Sequence, residues 1–230
     1  ICAGNNSDLV KNTFNKRVVE NFYKETSIVT ILNHSALKNK IARQIFLKDQ
    51  ILALLPISKT KTSIIWSVKK SIFEKNDLFL KNKIKYYSEN FLKKVQLKKK
   101  LEFKSLNFLI RDKYFQNRTL LFGDALHIVH PFAGQGFNMI LRDLECLENI
   151  LRNKIDLGLD IGSKDILSEF SKKTKPRNFA FSISLDILKN AFSYNNKSFK
   201  IIRDETLKVI NKSNTLKSIL FDVANKGFKF

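Results

Sequence analysis

Leu120–Asp143, LLFGDALHIVHPFAGQGFNMILRD, concentrates residues able to do chemistry: two of the chain's three histidines, three of its seven glycines and one of its three prolines. An apolar run, Arg118-Thr119-Leu120-Leu121-Phe122, ends in Gly123-Asp124. Read as a buried parallel strand, it brings a carboxylate to its carboxyl end, where open α/β sheets bind ligands. Asp124 can accept hydrogen bonds from ligand hydroxyls there. Gly134-Gln135-Gly136 lets the backbone approach a ligand with no Cβ in the way. A helix predicted from about Gly136 to Asn153 follows at once. Its free N–H groups and positive dipole end suit an electron-rich or anionic ligand atom. A ligand-free strand–loop–helix connection satisfies the G-x-G spacing equally well, so the glycines alone do not choose.

His127 and His130 stand three residues apart, but no carboxylate cluster accompanies them and the third histidine is His34. The pattern predicts no metal site and gives both histidines structural roles in the loop. No nucleophile elbow is present, so no Ser-His-Asp arrangement is predicted and no catalytic residue is assigned.

The elements that must position this loop follow from periodicity. Residues 1–13 read as a strand end and a polar turn at Gly4-Asn5-Asn6-Ser7. Ser27–Asn33, Ile41–Lys48, Ile51–Ile57 and Thr62–Val68 are β-like runs, the last two joined by the polar connection Ser58-Lys59-Thr60-Lys61. Four such runs at close spacing predict an antiparallel sheet. Residues 70–101 read as helical, with Phe73, Leu78, Leu80, Ile84, Tyr87, Phe91, Leu92 and Val95 recurring between lysines. Residues 103–110 read as a further strand. Residues 163–230 read as mostly helical, with Pro176 and Gly227 as breakers. Trp66, in mid-strand, fits either core packing or the lining of a substrate pocket.

The 230 residues carry 42 Lys+Arg against 21 Asp+Glu, a formal charge of +21. With 43% hydrophobic residues the chain is not intrinsically disordered. No apolar stretch is long enough for a membrane-spanning helix. The charge suggests an anionic partner, yet Lys, Asn, Ile and Phe are all abundant, as AT-rich coding produces. Lys is a poorer base reader than Arg, and no nucleic-acid motif is recognisable, so no nucleic-acid partner is predicted. The run Lys93-Lys94 and Lys98-Lys99-Lys100 reads as a solvated helix face. Cys2 and Cys146 form no paired motif, which favours a reducing compartment. The chain opens on Ile1-Cys2-Ala3-Gly4 and its sole methionine is Met139, which reads as the back part of a longer protein.

The motif as a whole resembles the second flavin-binding motif of FAD-dependent aromatic-ring hydroxylases, G-D-A-x-H-x-x-x-P followed by G-Q-G-x-N. Its form H-x-x-H-P-x-A-G-Q-G-F-N, ending in R-D, is most similar to the ubiquinone-biosynthesis (polyprenylphenol) hydroxylases. Cys2-Ala3-Gly4-Asn5-Asn6-Ser7 resembles the family's A-D-G-x-N-S. Leu54-Leu55-Pro56 with Ile64-Ile65-Trp66-Ser67 resembles its L-P and V-W strands. Phe170 to Arg177, Asp186 and Phe192 resemble its C-terminal helices.

The resemblance implies an α/β fold (α+β mixed): a partial, Rossmann-like FAD-binding domain with an inserted antiparallel-sheet substrate domain and a C-terminal helical region. Expected divisions are 1–26, a remnant of the FAD domain; 27–112, the substrate sheet with its helix; 113–155, the second FAD-binding segment; and 156–230, the C-terminal helices. The implied cofactor contacts are Gly123, Asp124 on the ribityl chain, Pro131, Ala133, Gly134, Gln135, Gly136, Asn138 and Met139. Trp66 is the implied substrate contact. The implied cofactor is FAD, with O2 as co-substrate and NAD(P)H or a reduced electron carrier as reductant. The implied reaction delivers a hydroxyl to an electron-rich polyprenylated phenol. A basic surface with amphipathic stretches in 163–230 would suit anionic lipid, and with it a cytoplasmic, peripheral place on an inner membrane and a quinone-biosynthesis complex. The family's G-x-G-x-x-G is absent, so about 150 upstream residues are expected at the usual family length, and this piece alone is expected neither to be active nor to hold FAD tightly. Ala3 stands for the family's Asp, Gln50-Ile51 for Gly-Pro, Leu126 for a small residue and Ile140 for a Gly expected to leave room for the flavin loop. Alternatives are a same-superfamily hydroxylase of a soluble aromatic and a cofactor-free scaffold.

Overall fold

The computed structural model describes residues 1–4, 7–14, 18–47, 50–97, 99–131, 134–193 and 197–227. The chain divides into two compact units, residues 22–106 and residues 1–21 with 107–230.

Residues 22–106 are built on alternation. The strands are β1 (Val18–Asn33), β2 (Arg43–Leu47), β3 (Gln50–Ser58), β4 (Lys61–Lys69), β5 (Gln96–Leu97) and β6 (Glu102–Arg111), with β1 and β6 continuing into the other unit. Their order is β2-β3-β4-β1-β6, with β5 on β1. β2, β3, β4 and β1 pair antiparallel in register, Ile28 opposite Trp66 and Leu52 opposite Trp66 on the other side. Thr62, Ile64, Trp66 and Val68, two apart, all lie within 1% exposure, as a period of two requires for a face turned to the core. The predicted connection Ser58–Lys61 is the β3–β4 turn. Against that face packs α3 (Asp77–Ser88), which follows the single turn α2 (Lys70–Phe73). Its inner stripe is Leu80, Ile84 and Ser88. Asn76 caps it by accepting from the Phe79 N–H at 2.8 Å.

The predicted helix over 70–101 ends at Ser88. The N–H groups of Phe91 and Leu92 both turn back to the Ser88 carbonyl, and Lys94 takes φ 52°. Leu92, Val95 and Leu101 reach the core from an irregular path, so their helix-like spacing reflects burial without helical backbone. Lys93, Lys94, Lys99 and Lys100 are exposed, but on turns and coil rather than a helix face.

The other unit includes α1 (Asp8–Phe14), a helix that the sequence pattern did not predict after the polar turn at Gly4–Ser7, of which Asn5 and Asn6 lie outside the described residues; Val10 and Phe14 anchor it in the core. β7 (Phe115–Gln116) and β8 (Thr119–Leu120) form a hairpin turning at Asn117, φ 51°. This corrects the predicted five-residue parallel strand at Arg118–Phe122: its regular part is a two-residue antiparallel strand. A parallel pattern survives in single bonds, since the Ile1 amino group donates to the Leu120 carbonyl at 2.6 Å and Phe122 N–H to the Ile1 carbonyl at 3.0 Å. β9 (His127–Ile128) pairs antiparallel with β6. Four helices follow: α4 (Gln135–Ile155), α5 (Lys164–Ser193), α6 (Lys197–Lys212) and α7 (Asn214–Lys226). Gly227, φ 69°, ends α7 as its position predicts. Pro176 does not break the helix; it lies inside α5. The ring costs α5 one backbone bond, but Phe170, Thr174, Asn178 and Phe181 are buried along the same helix and hold both sides of it. The core joins Val10, Phe14, Tyr114, Leu121, Leu126, Ile150, Ile166 and Phe170. Among the described residues no helix is long and apolar enough to cross a membrane.

Candidate functional site

The stretch singled out by its residue types folds as turn, short strand and helix. Phe122 is extended; Gly123 then takes φ 65° and opens a 3-10 turn, Gly123–Ala125, closed by Leu126 N–H on the Gly123 carbonyl at 2.8 Å. Asp124 is therefore on a 3-10 turn rather than at a strand end. Leu121, Ala125 and Leu126 are fully buried around it, while Asp124 itself is exposed. The turn aims one carboxylate outward from an apolar anchor.

β9 then leads to Pro131, and the next described residue, Gly134, caps α4 in the left-handed region at φ 66°, ψ 21°. A side chain at that φ is strained, which is the physical reason for glycine here. Among the described residues no side chain caps this helix, which leaves the N–H groups of its first turn available. Gln135 is buried and accepts from the Asn138 side-chain amide at 3.4 Å. A Cβ on Gly136 would lie 3.6 Å from Val129 Cγ2, ordinary contact, so α4 starts tightly on the end of β9. Met139 is fully buried as the fifth residue of α4, so neither its side chain nor its helix-bonded N–H is open to a ligand, and the free N–H groups are those of the turn before it. Ile140, at a family glycine position, puts its Cδ1 3.9 Å from where a Cβ on Gly123 would stand, without crowding the turn. The contact brings the Gly123–Asp124 turn beside the first turns of α4. Ala133 lies outside the described residues. Trp66 belongs to the other unit, 1% exposed, with its N–H donated to Gln50 Oε1 at 3.1 Å and its ring edge-on to Tyr87.

A buried polar network behind the loop went unpredicted. His127 Nε2 lies 2.8 Å from Asp143 Oδ2, with side-chain exposures of 1% and 0%. Asn178 Nδ2 donates to both Asp143 oxygens at 3.0 and 2.9 Å, and Arg177 stands 3.8 Å away. Three elements, β9, α4 and α5, are thus tied at one carboxylate. Arg111 from β6 donates Nε to the Ala125 carbonyl at 2.8 Å and Nη1 to the Phe14 carbonyl at 3.2 Å, clamping the 3-10 turn from behind. Arg142 donates Nη1 to the Ala224 carbonyl at 3.1 Å and stacks over Phe181. Burial lowers the pKa of both guanidiniums, and for Arg142 the neighbouring Arg177 adds to it. The R-D pair ending the motif was the sequence signal for this network, but its partner Asn178 lies 35 residues further on.

The donor set fits a flavin dinucleotide: an outward carboxylate for ribityl hydroxyls, and an uncapped helix start for an electron-rich ring edge. A family model described as squalene epoxidase matches residues 1–221. The chain is 26% identical over 242 residues to the ubiquinone biosynthesis monooxygenase COQ6, mitochondrial, of Danio rerio, covering 89% of this chain and 50% of the relative. It is 28% identical over 183 residues to the ubiquinone hydroxylase UbiL of Rhodospirillum rubrum, covering 74% of this chain and 41% of the relative. The fold superposes on the crystal structure of p-nitrophenol 4-monooxygenase PnpA from Pseudomonas putida with a TM-score of 0.76 at 14% identity, over 100% of this chain and 59% of that one. The chain spans about half the length of the curated relatives it matches. It belongs to the squalene epoxidase family, within the FAD-dependent aromatic hydroxylase superfamily related to the ubiquinone hydroxylases.

Proposed function

We propose that this chain supplies the ribityl and isoalloxazine contacts of an FAD-dependent monooxygenase that hydroxylates a polyprenylated phenol in ubiquinone biosynthesis. One observation carries the reading: exposed Asp124 stands on a turn packed beside α4, whose start no side chain caps. Asp124 accepts hydrogen bonds from the ribityl hydroxyls. Pro131, Gly134 and the start of α4 lie alongside the ring and exclude water. The free N–H groups of the first turn of α4, Gln135 to Phe137, just ahead of Asn138 and Met139, meet the electron-rich N1/O2 edge of the flavin, where negative charge is stabilised by the helix dipole. Gly123, Gly134, Gln135 and Gly136 hold that backbone close. Bound FAD supplies the activation of O2 and the delivery of the hydroxyl, with NAD(P)H or a reduced carrier as electron source. A phenol with a polyprenyl tail resides in lipid, so the protein meets an inner membrane peripherally, alone or within a quinone-biosynthesis complex.

The test is the flavin absorption of the gene product, purified with any residues its gene encodes ahead of Ile1. Bound flavin that is lost in Asp124→Ala, and a polyprenylphenol that gains one oxygen atom in the presence of reductant and O2, support the reading. A flavin-free protein supports the scaffold alternative instead, and turnover of soluble phenols alone moves the substrate class. The 230-residue chain by itself is expected to lose FAD on gel filtration; stoichiometric retention would contradict that.

A further inference from the structure

α3 is apolar on both sides. Its inner stripe, Leu80, Ile84 and Ser88, is spent on the sheet. At about 100° per residue, Leu78, Asn82 and Tyr86 form the opposite stripe, with Phe79 beside it and Lys83 and Lys85 on its flanks. Leu78 is 68% exposed, Tyr86 67% and Phe79 38%. The Lys83 ammonium stands 5.9 Å from the ring centroids of Phe79, Tyr86 and Tyr87 alike. An ordinary surface helix carries its apolar residues on one stripe and polar ones opposite. Here the outer stripe pairs rings with lysines, the composition that sits at the boundary of lipid headgroups and acyl chains.

Charge selects among possible covers. Residues 69–100 hold eleven lysines and three carboxylates. All three carboxylates already face a lysine four positions away: Glu74 with Lys70, Asp77 with Lys81 and Glu89 with Lys85. A second copy would set one cationic segment against another, whereas an anionic bilayer attracts it at about 1 kcal/mol per lysine near the surface.

We propose that the outer face of α3 is a docking surface for an anionic membrane, with Leu78, Phe79 and Tyr86 entering the interface and Lys83 and Lys85 meeting lipid phosphates. This deepens the membrane part of the reading above and is independent of flavin binding.

The full 230-residue chain is floated with phosphatidylcholine vesicles, with and without about one-third phosphatidylglycerol, at low salt. Wild type is expected to float only with the anionic vesicles. Leu78→Ser with Tyr86→Ser should weaken binding about tenfold, and Lys83→Gln, which removes one charge, roughly fivefold. Because these side chains are exposed, thermal melting should be unchanged, which separates lost docking from lost folding. Wild type that binds no vesicles overturns both this surface and the peripheral encounter. Binding that survives the α3 variants but falls in Ile202→Ser with Ile219→Ser overturns this surface alone and moves the contact to α6 and α7. A concentration-dependent dimer abolished by the α3 variants, without vesicle binding, also overturns it. Flavin absorption, measured in parallel, reports on the catalytic reading separately.

Discussion

The two units are held by different physics. Around β3, β4 and α3 the core is apolar, and its buried polar groups are the hydroxyls of Ser27, Thr30, Thr62, Ser67 and Ser88, with His34 bonded to Thr62 and the Ser35 carbonyl. Around the Gly123–Gly134 loop the interior holds Arg111, His127, Arg142 and Asp143. A sheet on a helix locks itself by register and side-chain packing. The loop has a ladder only over the two residues of β9, so most of its described path is set by specific bonds: Arg111 to Ala125 and Phe14, and His127, Asn178 and Arg177 to Asp143. Buried ionic groups add little net stability against an apolar core, but removing one member strands the rest. The unit bearing the candidate site thus trades tolerance to substitution for a defined loop.

That contrast can be broken. The largest effect is expected from Asp143→Ala, which leaves His127 and Arg177 without their carboxylate and should cost about 4 kcal/mol. Asp143→Asn, which keeps the acceptor for Asn178, should cost less. Denaturant melts of both variants measure this, and an Ala variant no worse than a surface change would show that the network does not hold the loop. In the apolar unit, Leu52→Ala removes a fully buried side chain directly across from Trp66 on the neighbouring strand and should cost about 3 kcal/mol through its cavity. There a volume-conserving Leu52→Met should restore most of the loss, a rescue that has no counterpart at Asp143.

Gly134→Ala is smaller, about 1–2 kcal/mol, because the left-handed φ strains a Cβ although open space surrounds it. Its sharper readout is the flavin: FAD affinity should fall more than stability does, and equal losses would argue against a cofactor role for the cap. The smallest effect concerns the exposed pair Arg118–Asp160. The bidentate guanidinium and the Gly162 N–H hold the Asp160 carboxyl down at about 2. A lowered carboxylate pKa favours the folded state above the unfolded pKa, and that contribution fades as pH falls toward 2. At full exposure the stability change should be close to nothing. In Arg118→Ala, NMR titration should find Asp160 moved up toward its ordinary value, with the Gly162 N–H still holding it somewhat below, while the melt at neutral pH stays in place.

How far these features were legible in sequence depends on the distance over which each is specified. The second half of β1, strands β2 to β4 and the β3–β4 turn follow from alternation and a polar tetrapeptide, whereas the first part of β1, before Ser27, was not predicted. The Gly134 cap and the start of α4 follow from G-x-G before an apolar helical pattern. The chain from Glu89 to Leu101 was misread because burial imitates a helical period. Pro176 was misread because contacts on both of its sides outweigh a single missing bond. The segment 118–122 was misread because its parallel neighbour is Ile1, a contact across 119 residues.

Asp124 and Asp143 show the same division within one motif. Residue order alone put two carboxylates in the candidate flavin stretch and tied them to a loop between a short apolar run and a helix. It did not tell them apart. Tertiary structure did: buried Leu121, Ala125 and Leu126 turn Asp124 out to solvent, and His127, Asn178 and Arg177, brought in from other elements, enclose Asp143 completely. Local sequence specifies turns and helix starts because their bonds close within a few residues. Which carboxylate is left for a ligand and which becomes the fastening depends on desolvation, and desolvation exists only after distant segments have packed.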